Sequence, residues 1–546
     1  MMGGTKMNMN QGRLSKTALV AALPAGFSGM FSRLAVMAAC VGVLQACAVN
    51  PVTGDRELTL VSEREEVAIG QENYGPTQQS QGGEFKIDPE LTAYVSEVGQ
   101  RVARHSPRQL PYEFVVLNNS VPNAWALPGG KIAVNRGLLY EMDSEAELAA
   151  VLGHEVVHAA ARHGAQSMER GVLLQGALAV TAIAASDNAY AGAIVGGASL
   201  GAQLISQSYG REAEREADLY GTRYLAQAGY DPEAAVRLQE TFVRLSEGRT
   251  EQGWLQGLFA SHPPSQERVQ NNRQLVAQLR AEGYTGGEQG EQRYQQQMAF
   301  LRETKPAYDA FDEAMTMVRD DRVEDAQQKL DDAIAMLPQE ARFHGLNGDI
   351  ALMQRRYSAA IDHYNSALAR DDAYFDYYLG RGLAFARQGN RSRAQADLQA
   401  SVELLPTALA MNELGTMALA DNNRNAAKQY FQQAASAPGS IGESARSAFL
   451  RLDVADNPAN YLQTSAYVSN DGRVMVRVGN AAPMTITQAS VELQASVGRE
   501  RVRRVVDVRN LSAGDARDYD SGLVLPADVP PQAVQAQVLV RSAAVN

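Results

Sequence analysis

Three patterns of apolar and polar positions succeed one another along the chain. Helical and strand patterns mix over residues 50–285. Within them, Ser144 to Gly164 has every local signal of a helix: Ser144 and Glu147 stand at capping-box spacing, and Gly164 is placed to end it. Arg211 to Tyr220 reads as a second helix, ending near Gly229 ahead of Asp231-Pro232. Farther on, small residues recur at Ala314, Gly348, Gly382 and Gly415, at Ala326, Ala360, Ala394 and Ala427, and at Ala333, Ala367, Ser401 and Ala434. All three series step by 34, 34 and 33 residues. From about 455 the period falls to two. Val474, Val476 and Val478 alternate with Met475 and Arg477, Ala489, Val491 and Leu493 with Ser490, Glu492 and Gln494, and Val534, Ala536, Val538 and Val540 with mostly polar neighbours. With Asn470-Asp471-Gly472 as a hairpin signal, this predicts a β-sandwich over 455–546.

The repeat resembles the tetratricopeptide (TPR) repeat, whose paired helices approach closely only where side chains are small. Three series in one register, with Pro338 and Pro406 two periods apart, mark an array over 305–453. Its concave groove is expected to take a protein partner. Ahead of it Gly286-Gly287-Glu288-Gln289-Gly290 reads as a linker running into a first helix, 286–304.

Composition narrows the class. The chain has 546 residues, 45% hydrophobic and 21% charged, which is globular rather than disordered. Net charge is −12, and residues 1–46 carry only Lys6, Arg13, Lys16 and Arg33, so the remainder stands at about −16. That excess of acid argues against nucleic acid as a partner. The two cysteines, Cys40 and Cys47, allow neither a disulfide framework nor a cysteine zinc site. Arg33 followed by the apolar run Leu34 to Leu44 and a small residue describes a secretory signal over 1–46, with an ordinary membrane anchor as the alternative. Met30 as the start would leave a compact signal. Leu44-Gln45-Ala46-Cys47 resembles a bacterial lipobox, which implies acylation of Cys47. Ala48 stands where Asp would retain such a lipoprotein at the inner membrane. The expected location is therefore the periplasm, on the outer membrane, with the lipid anchor contributing ~0.8 kcal/mol per buried CH₂.

The chemistry lies in the first region, which holds five of the seven histidines. His154 and His158 are one helical turn apart, so both imidazoles can reach one metal ion. Glu155 follows the first of them, beside the open coordination position, where it can take a proton from water. A random His-Glu-x-x-His is expected in on the order of one such chain in a hundred. Catalytic zinc takes three protein ligands and a water, so a third must come from a neighbouring element. On the second helix, Glu214 and Asp218 share one face, Glu212 and Glu216 another, and helix geometry alone does not choose between the pairs.

These residues resemble the gluzincin metallopeptidase family of the HtpX protease and the CAAX prenyl protease. The likeness rests on His-Glu-x-x-His followed by Glu214-Arg215-Glu216-Ala217-Asp218. It implies His154, His158 and Glu214 as ligands of one Zn²⁺ per chain, Glu155 as general base, and Asp218 behind a ligand. Asn123 to Ile132 resembles the family's strand and turn bordering the substrate cleft. Ser261-His262-Pro263-Pro264-Ser265-x-Glu267-Arg268 resembles the loop closing the peptidase domain. The family's histidine at that place implies a regulatory fourth ligand in His262, the alternative being that it packs the domain's closing turn. The extra β-domain departs from the pattern.

Between the motif helices, residues 171–210 contain one charge, Asp187. Each half of this interval falls short of the ~20 residues needed to span a bilayer, so a soluble helical hairpin or flap near the cleft is expected, with membrane contact as the alternative. His105, His344 and His363 lack metal-like spacing, and His163 is expected to cap the helix end.

The expected architecture is multidomain: signal peptide 1–46, a mainly helical α+β zincin domain 47–285, the linker, an α-solenoid of TPR repeats, and a C-terminal β-sandwich. The expected function is zinc endopeptidase acting on misfolded or stalled envelope proteins, in particular outer-membrane proteins. The TPR groove would recruit substrate or the outer-membrane assembly machinery. The alternative is a TPR-based chaperone or assembly factor whose protease activity is secondary or latent.

Overall fold

The computed structural model describes residues 47–170, 209–248, 261–497, 500–526, 529–530 and 534–545. The expected signal segment, and residues 171–208 of the apolar insertion, lie outside the described residues. The chain divides into two units. In the smaller, β1 (Cys47–Val49) pairs antiparallel with β2 (Arg56–Leu58).

The larger unit begins with α1 (Glu63–Ser80), started by a full capping box of Ser62 and Glu65, and α2 (Pro89–Ala103). A three-stranded sheet follows, β3 (Glu113–Leu117), β4 (Ala124–Leu127) and β5 (Lys131–Asn135), in spatial order β3-β5-β4. The strand and turn expected at Asn123 to Ile132 are β4 and its hairpin into β5. Gly129 and Gly130 make that turn at φ +78° and +88°, a region that favours glycine.

Helix α3 (Glu145–Ala160) carries the histidine motif, and every residue of it except His154 is buried. Its caps differ from the sequence expectation. Ser144 accepts from the Glu147 amide, but the Glu147 carboxylate accepts from Asp143 N at 2.8 Å and pairs with Arg237, so only half of a capping box forms. At the other end the chain turns at Arg162, φ +65°, rather than at Gly164. Burial explains this: the Arg162 guanidinium donates to the fully buried Glu66 at 3.0 Å, and that ion pair holds the backbone where a glycine would otherwise serve.

Helices α4 (Arg211–Gln227), α5 (Glu233–Gly248) and α6 (Gln266–Ala281) complete the region. Helix α4 lies against α3 because two glycines face each other. A Cβ on Gly221 would stand 2.9 Å from His154 N, and one on Gly153 would stand 3.0 Å from Gly221 O. The stretch read as a linker is packed. Ala146 N donates to Gln289 O, Arg293 of α7 (Glu291–Gln297) reaches buried Glu145 at 3.2 Å, and Tyr294, fully buried, donates to Leu139 O at 2.6 Å. One hydrophobic core therefore runs from α2 and α3 through Tyr294, Met298 and Leu301 to Phe343 and Ile350.

The repeats are helix pairs: α8 (Ala299–Arg319) with α9 (Val323–Met336), α10 (Ala341–Met353) with α11 (Tyr357–Leu368), α12 (Phe375–Arg387) with α13 (Arg391–Leu404), and α14 (Ala408–Ala420) with α15 (Arg424–Ala434). Every residue of the three small-residue series is buried. A Cβ on Gly348 would meet Tyr364 at 2.6 Å, and one on Gly415 would meet Phe431 at 2.8 Å, so these gaps are filled by the ring of the paired helix. The turns recur in the same register, with Asp321, Arg355, Gly389 and Asn422 all at positive φ.

A last helix, α16 (Gly439–Asp456), sends Val454 into the core of the β-domain. There β6 (Leu462–Val468), β7 (Arg473–Asn480) and β10 (Ala516–Val524) form one antiparallel sheet in the order β10-β7-β6. Strands β8 (Ile486–Val497), β9 (Glu500–Leu511) and β11 (Gln535–Val545) form the other, in the order β11-β8-β9. The alternating residues of β7 and β8 are buried as expected, and Ser469 to Gly472 makes the hairpin turn. Those of β11 are not: Ala536 is exposed and Val538 and Val540 are half-buried, because β11 is an edge strand.

The glycine contact yields a stability test. Gly221→Ala forces α3 and α4 apart and is expected to cost about 1–3 kcal/mol and to lower the metal content of purified protein. Gly75→Ala, whose Cβ meets nothing within 4 Å, is the control. A Gly221→Ala protein that melts with wild type and binds metal equally would exclude the close approach as a requirement.

Candidate metal centre

Helix geometry places His154 and His158 on the face of α3 that α4 covers, and α4 starts so that Glu214 falls opposite both. His154 Nε2 and His158 Nε2 are 3.0 Å apart. Glu214 Oε1 is 3.3 Å from His158 Nε2, and Glu214 Oε2 is 3.5 Å from His154 Nε2. The loop before α6 adds His262, whose Nδ1 lies 2.8 Å from Glu214 Oε1 and 3.3 Å from His154 Nε2. A tetrahedral ion with metal–nitrogen distances of about 2.0–2.1 Å sets its donors roughly 3.3–3.4 Å apart. These four donors, all within 4.8 Å of one another, can hold a metal ion. The buried atoms Glu155 Oε2 and His262 Nε2 have no hydrogen-bond partner among the described residues, which fits a site completed by a cation and water.

Each donor has a support. Asp218 Oδ1 is 3.1 Å from His154 Nδ1, so it accepts that N–H and leaves Nε2 free to ligate. Arg268 holds Asp218 with two hydrogen bonds of 2.7 Å, and its Nη1 lies 3.0 Å from Glu214 Oε2. His163 does not cap the helix. Its Nδ1 lies 2.8 Å from His158 Nδ1, and its Nε2 lies 3.6 Å from Glu216 Oε2. A proton on His158 Nδ1 donated to His163 frees His158 Nε2 for a metal, and His163 then turns its own N–H toward Glu216. Tyr209 stacks on the His158 ring, centroids 4.0 Å apart.

Arg268 and His163 were within reach of sequence reasoning, one inside the loop motif and the other five residues after His158. Their roles depend on distances across elements that no spacing reports. Glu216, readable as solvated from helix geometry, is drawn in by the same route.

Burial and charge act against each other here. Burial pushes the Glu155 carboxyl up, with His262 and His154 opposing. Burial also opposes ionisation of Glu214 and Asp218. The imidazoles around Glu214 and the Arg268 guanidinium beside Asp218 outweigh it and hold both below the usual carboxylate range. Burial would lower His154, but Glu214 and Asp218 push it up to about 10. Burial drives His158 well down, toward the neutral imidazole that a metal needs.

Residues 89–276 match the model of Peptidase family M48, and residues 311–374 and 379–441 match that of the tetratricopeptide repeat. The chain is 33% identical over 193 residues to the metalloprotease YcaL of Escherichia coli, a match covering 33% of this chain and 71% of that one. The chain belongs to Peptidase family M48.

It is also similar to the putative beta-barrel assembly-enhancing protease of Vibrio cholerae, with 32% identity over 197 residues, 35% of this chain and 40% of that one. The beta-barrel assembly-enhancing protease of Yersinia pestis is 26% identical over 380 residues, 64% of this chain and 76% of that one. The Vibrio match thus spans less than half of that relative's length.

The His163 support is testable apart from turnover. His163→Phe keeps a ring in place but cannot accept from His158, and it is expected to weaken metal binding about 10–100-fold in chelator competition at unchanged helicity. Equal affinity would leave His163 no part in holding the site.

Proposed function

We propose that the chain is a zinc-dependent endopeptidase of the bacterial envelope, with one Zn²⁺ held by His154, His158 and Glu214. The carrying observation is the convergence of these donors beside a buried Glu155 that nothing else engages through Oε2. Zinc at this place supplies a Lewis acid for the scissile carbonyl and makes water acidic enough to lose a proton near neutrality. Glu155 accepts the proton of the attacking water. It then passes the proton to the leaving amine. Asp218 and Arg268 keep His154 oriented through the cycle.

Family membership and the repeats support this reading, in which the substrates are misfolded or stalled envelope proteins, chiefly those of the outer membrane, and relatives named for enhancing beta-barrel assembly are in keeping with it. The TPR array would bring such proteins, or the machinery that assembles them, to the site. Acylation of Cys47 would tether the enzyme to the outer membrane on its periplasmic side. In this reading Cys47→Ser abolishes lipid labelling and leaves residues 1–46 attached. Mass spectrometry showing an unmodified N-terminus elsewhere in the wild type would refute the anchor.

Glu155→Gln is expected to keep its zinc and to lose about 10²–10⁴-fold in proteolysis of casein. Glu214→Gln and His158→Ala should lose metal as well. Chelator should abolish wild-type cleavage, and zinc should restore it. Envelope function retained in Glu155→Gln would favour the chaperone reading instead.

His262 is proposed as a restraint. It sits inside the donor set, its Nε2 3.5 Å from Glu155 Oε1, on a loop stiffened by Pro263 and Pro264 and tied down where Arg268 donates to Pro263 O. Occupying the fourth position, it would exclude water until substrate moves the loop. His262→Ala should bind zinc with the same stoichiometry and cleave several-fold faster. Slower or unchanged turnover in a well-folded variant would leave His262 as packing alone.

A further inference from the structure

A cavity runs from the Glu155 carboxylate back between α3, α4, α5 and α6. One side is apolar, where Val151 of α3 faces Leu238 and Phe242 of α5, all more than nine-tenths buried, and the other is formed by His154, Asp218, His262 and Arg268 of the metal centre. Polar groups lie among them, Gln239 of α5 and Asn272 of α6, at 4% and 2% exposure. The Gln239 Oε1 atom is buried and has no hydrogen-bond partner among the described residues. A buried acceptor left without a donor costs about 1–3 kcal/mol, so its persistence beside a cavity points to a donor that arrives from outside the chain. The cavity is also narrow, with free room for roughly two water molecules.

Its position says what enters. Glu155 borders the cavity, and in the peptidase reading Glu155 must reach the leaving amine to protonate it. That amine belongs to the first residue on the C-terminal side of the cut. The side chain of the same residue branches one atom away from the amine, within reach of a cavity that Glu155 borders. We propose that this cavity receives that side chain, and that its narrowness and the Gln239 carbonyl select serine or threonine there. A hydroxyl supplies the donor that Gln239 lacks, and its small volume fits between Val151, Leu238 and Phe242. Alanine fits the space but leaves the carbonyl unpaired, and leucine or phenylalanine is too large. A site built to pair a substrate hydroxyl rejects the analogue without it more strongly than an apolar pocket rejects one methylene.

This inference rests on the peptidase reading, and its test separates the two. Zinc-loaded full-length protein is given a random peptide mixture, and the residues flanking each cut are read by mass spectrometry. Serine and threonine are expected after the cut at least about tenfold above alanine, with leucine and phenylalanine excluded. Gln239→Met removes the acceptor at nearly constant volume and should bring serine and alanine within about threefold. Phe242→Ala should admit leucine. In parallel, hydroxamates carrying a seryl, alanyl or leucyl residue next to the zinc-binding group are titrated calorimetrically into wild type and Gln239→Met. The same ranking, flattened by Gln239→Met, is expected even in protein that cleaves nothing. That result would support the cavity assignment while overturning the peptidase reading. Efficient cutting before leucine or phenylalanine by wild type would overturn the assignment, as would a hydroxamate series that Gln239→Met does not alter while its melting temperature stays at the wild-type value.

Discussion

Glu214 carries a negative charge into a place that water barely reaches, and the surrounding structure is arranged to make that tolerable. A buried carboxylate is costly unless it is paired and hydrogen-bonded. Here His154, His158 and His262 face it, and Arg268 stands behind it. None of these groups is at its site by local preference. The Gly153–Gly221 contact lets α4 approach α3 closely enough for Glu214 to reach both motif histidines. The loop ahead of α6 delivers His262 and Arg268 together. The same imidazoles, once neutral, can share Glu214 with a metal cation, which would then supply the positive charge that the buried carboxylate requires.

The supports around the donors extend that logic outward. His154 leads to Asp218 and then Arg268, and His158 leads to His163 and then Glu216. Each chain ends in a charged group that fixes the direction of its hydrogen bonds, and so each fixes a tautomer rather than merely filling space. Arg268 belongs to two circuits at once, through Asp218 and through the Pro263 carbonyl of the loop that carries His262. A displacement of that loop therefore cannot leave the support of His154 untouched.

The sequence displayed what is periodic and concealed what is long-range. The histidine motif, the three small-residue series and the alternation in β7 and β8 are legible because each is a local rule repeated within one element or one repeat. The family resemblance chose Glu214 over Glu212, which helix geometry could not do. Glu147 was misread because a carboxylate at capping-box spacing has more than one donor available, and Asp143 N with Arg237 outcompetes the cap. Arg162 was not foreseen as the turn because its left-handed backbone is held by Glu66, nearly a hundred residues away. The polar Gly-Gln-Glu composition of 286–297 suggested a linker, yet Tyr294 is buried in the core and Gln289 and Arg293 bind the start of α3.

That last misreading bears on how the two halves of the chain act. A flexible tether would let the repeats collect a partner independently of the metal centre. Instead, Gln289 O receives the Ala146 amide in the first turn of α3, and Arg293 neutralises Glu145 one residue before it, where Tyr94 and Tyr230 also donate. The helix that bears His154 and His158 is thus held at its start by the segment that begins the repeat array. The core continues without a break from α3 through Met298 and Leu301 to Phe343. A load placed on the first repeats is transmitted to α3 through buried side chains and the ion pair of Arg293 with buried Glu145. Rigid coupling of this kind suits an array that presents a bound protein to the metal centre in a fixed direction.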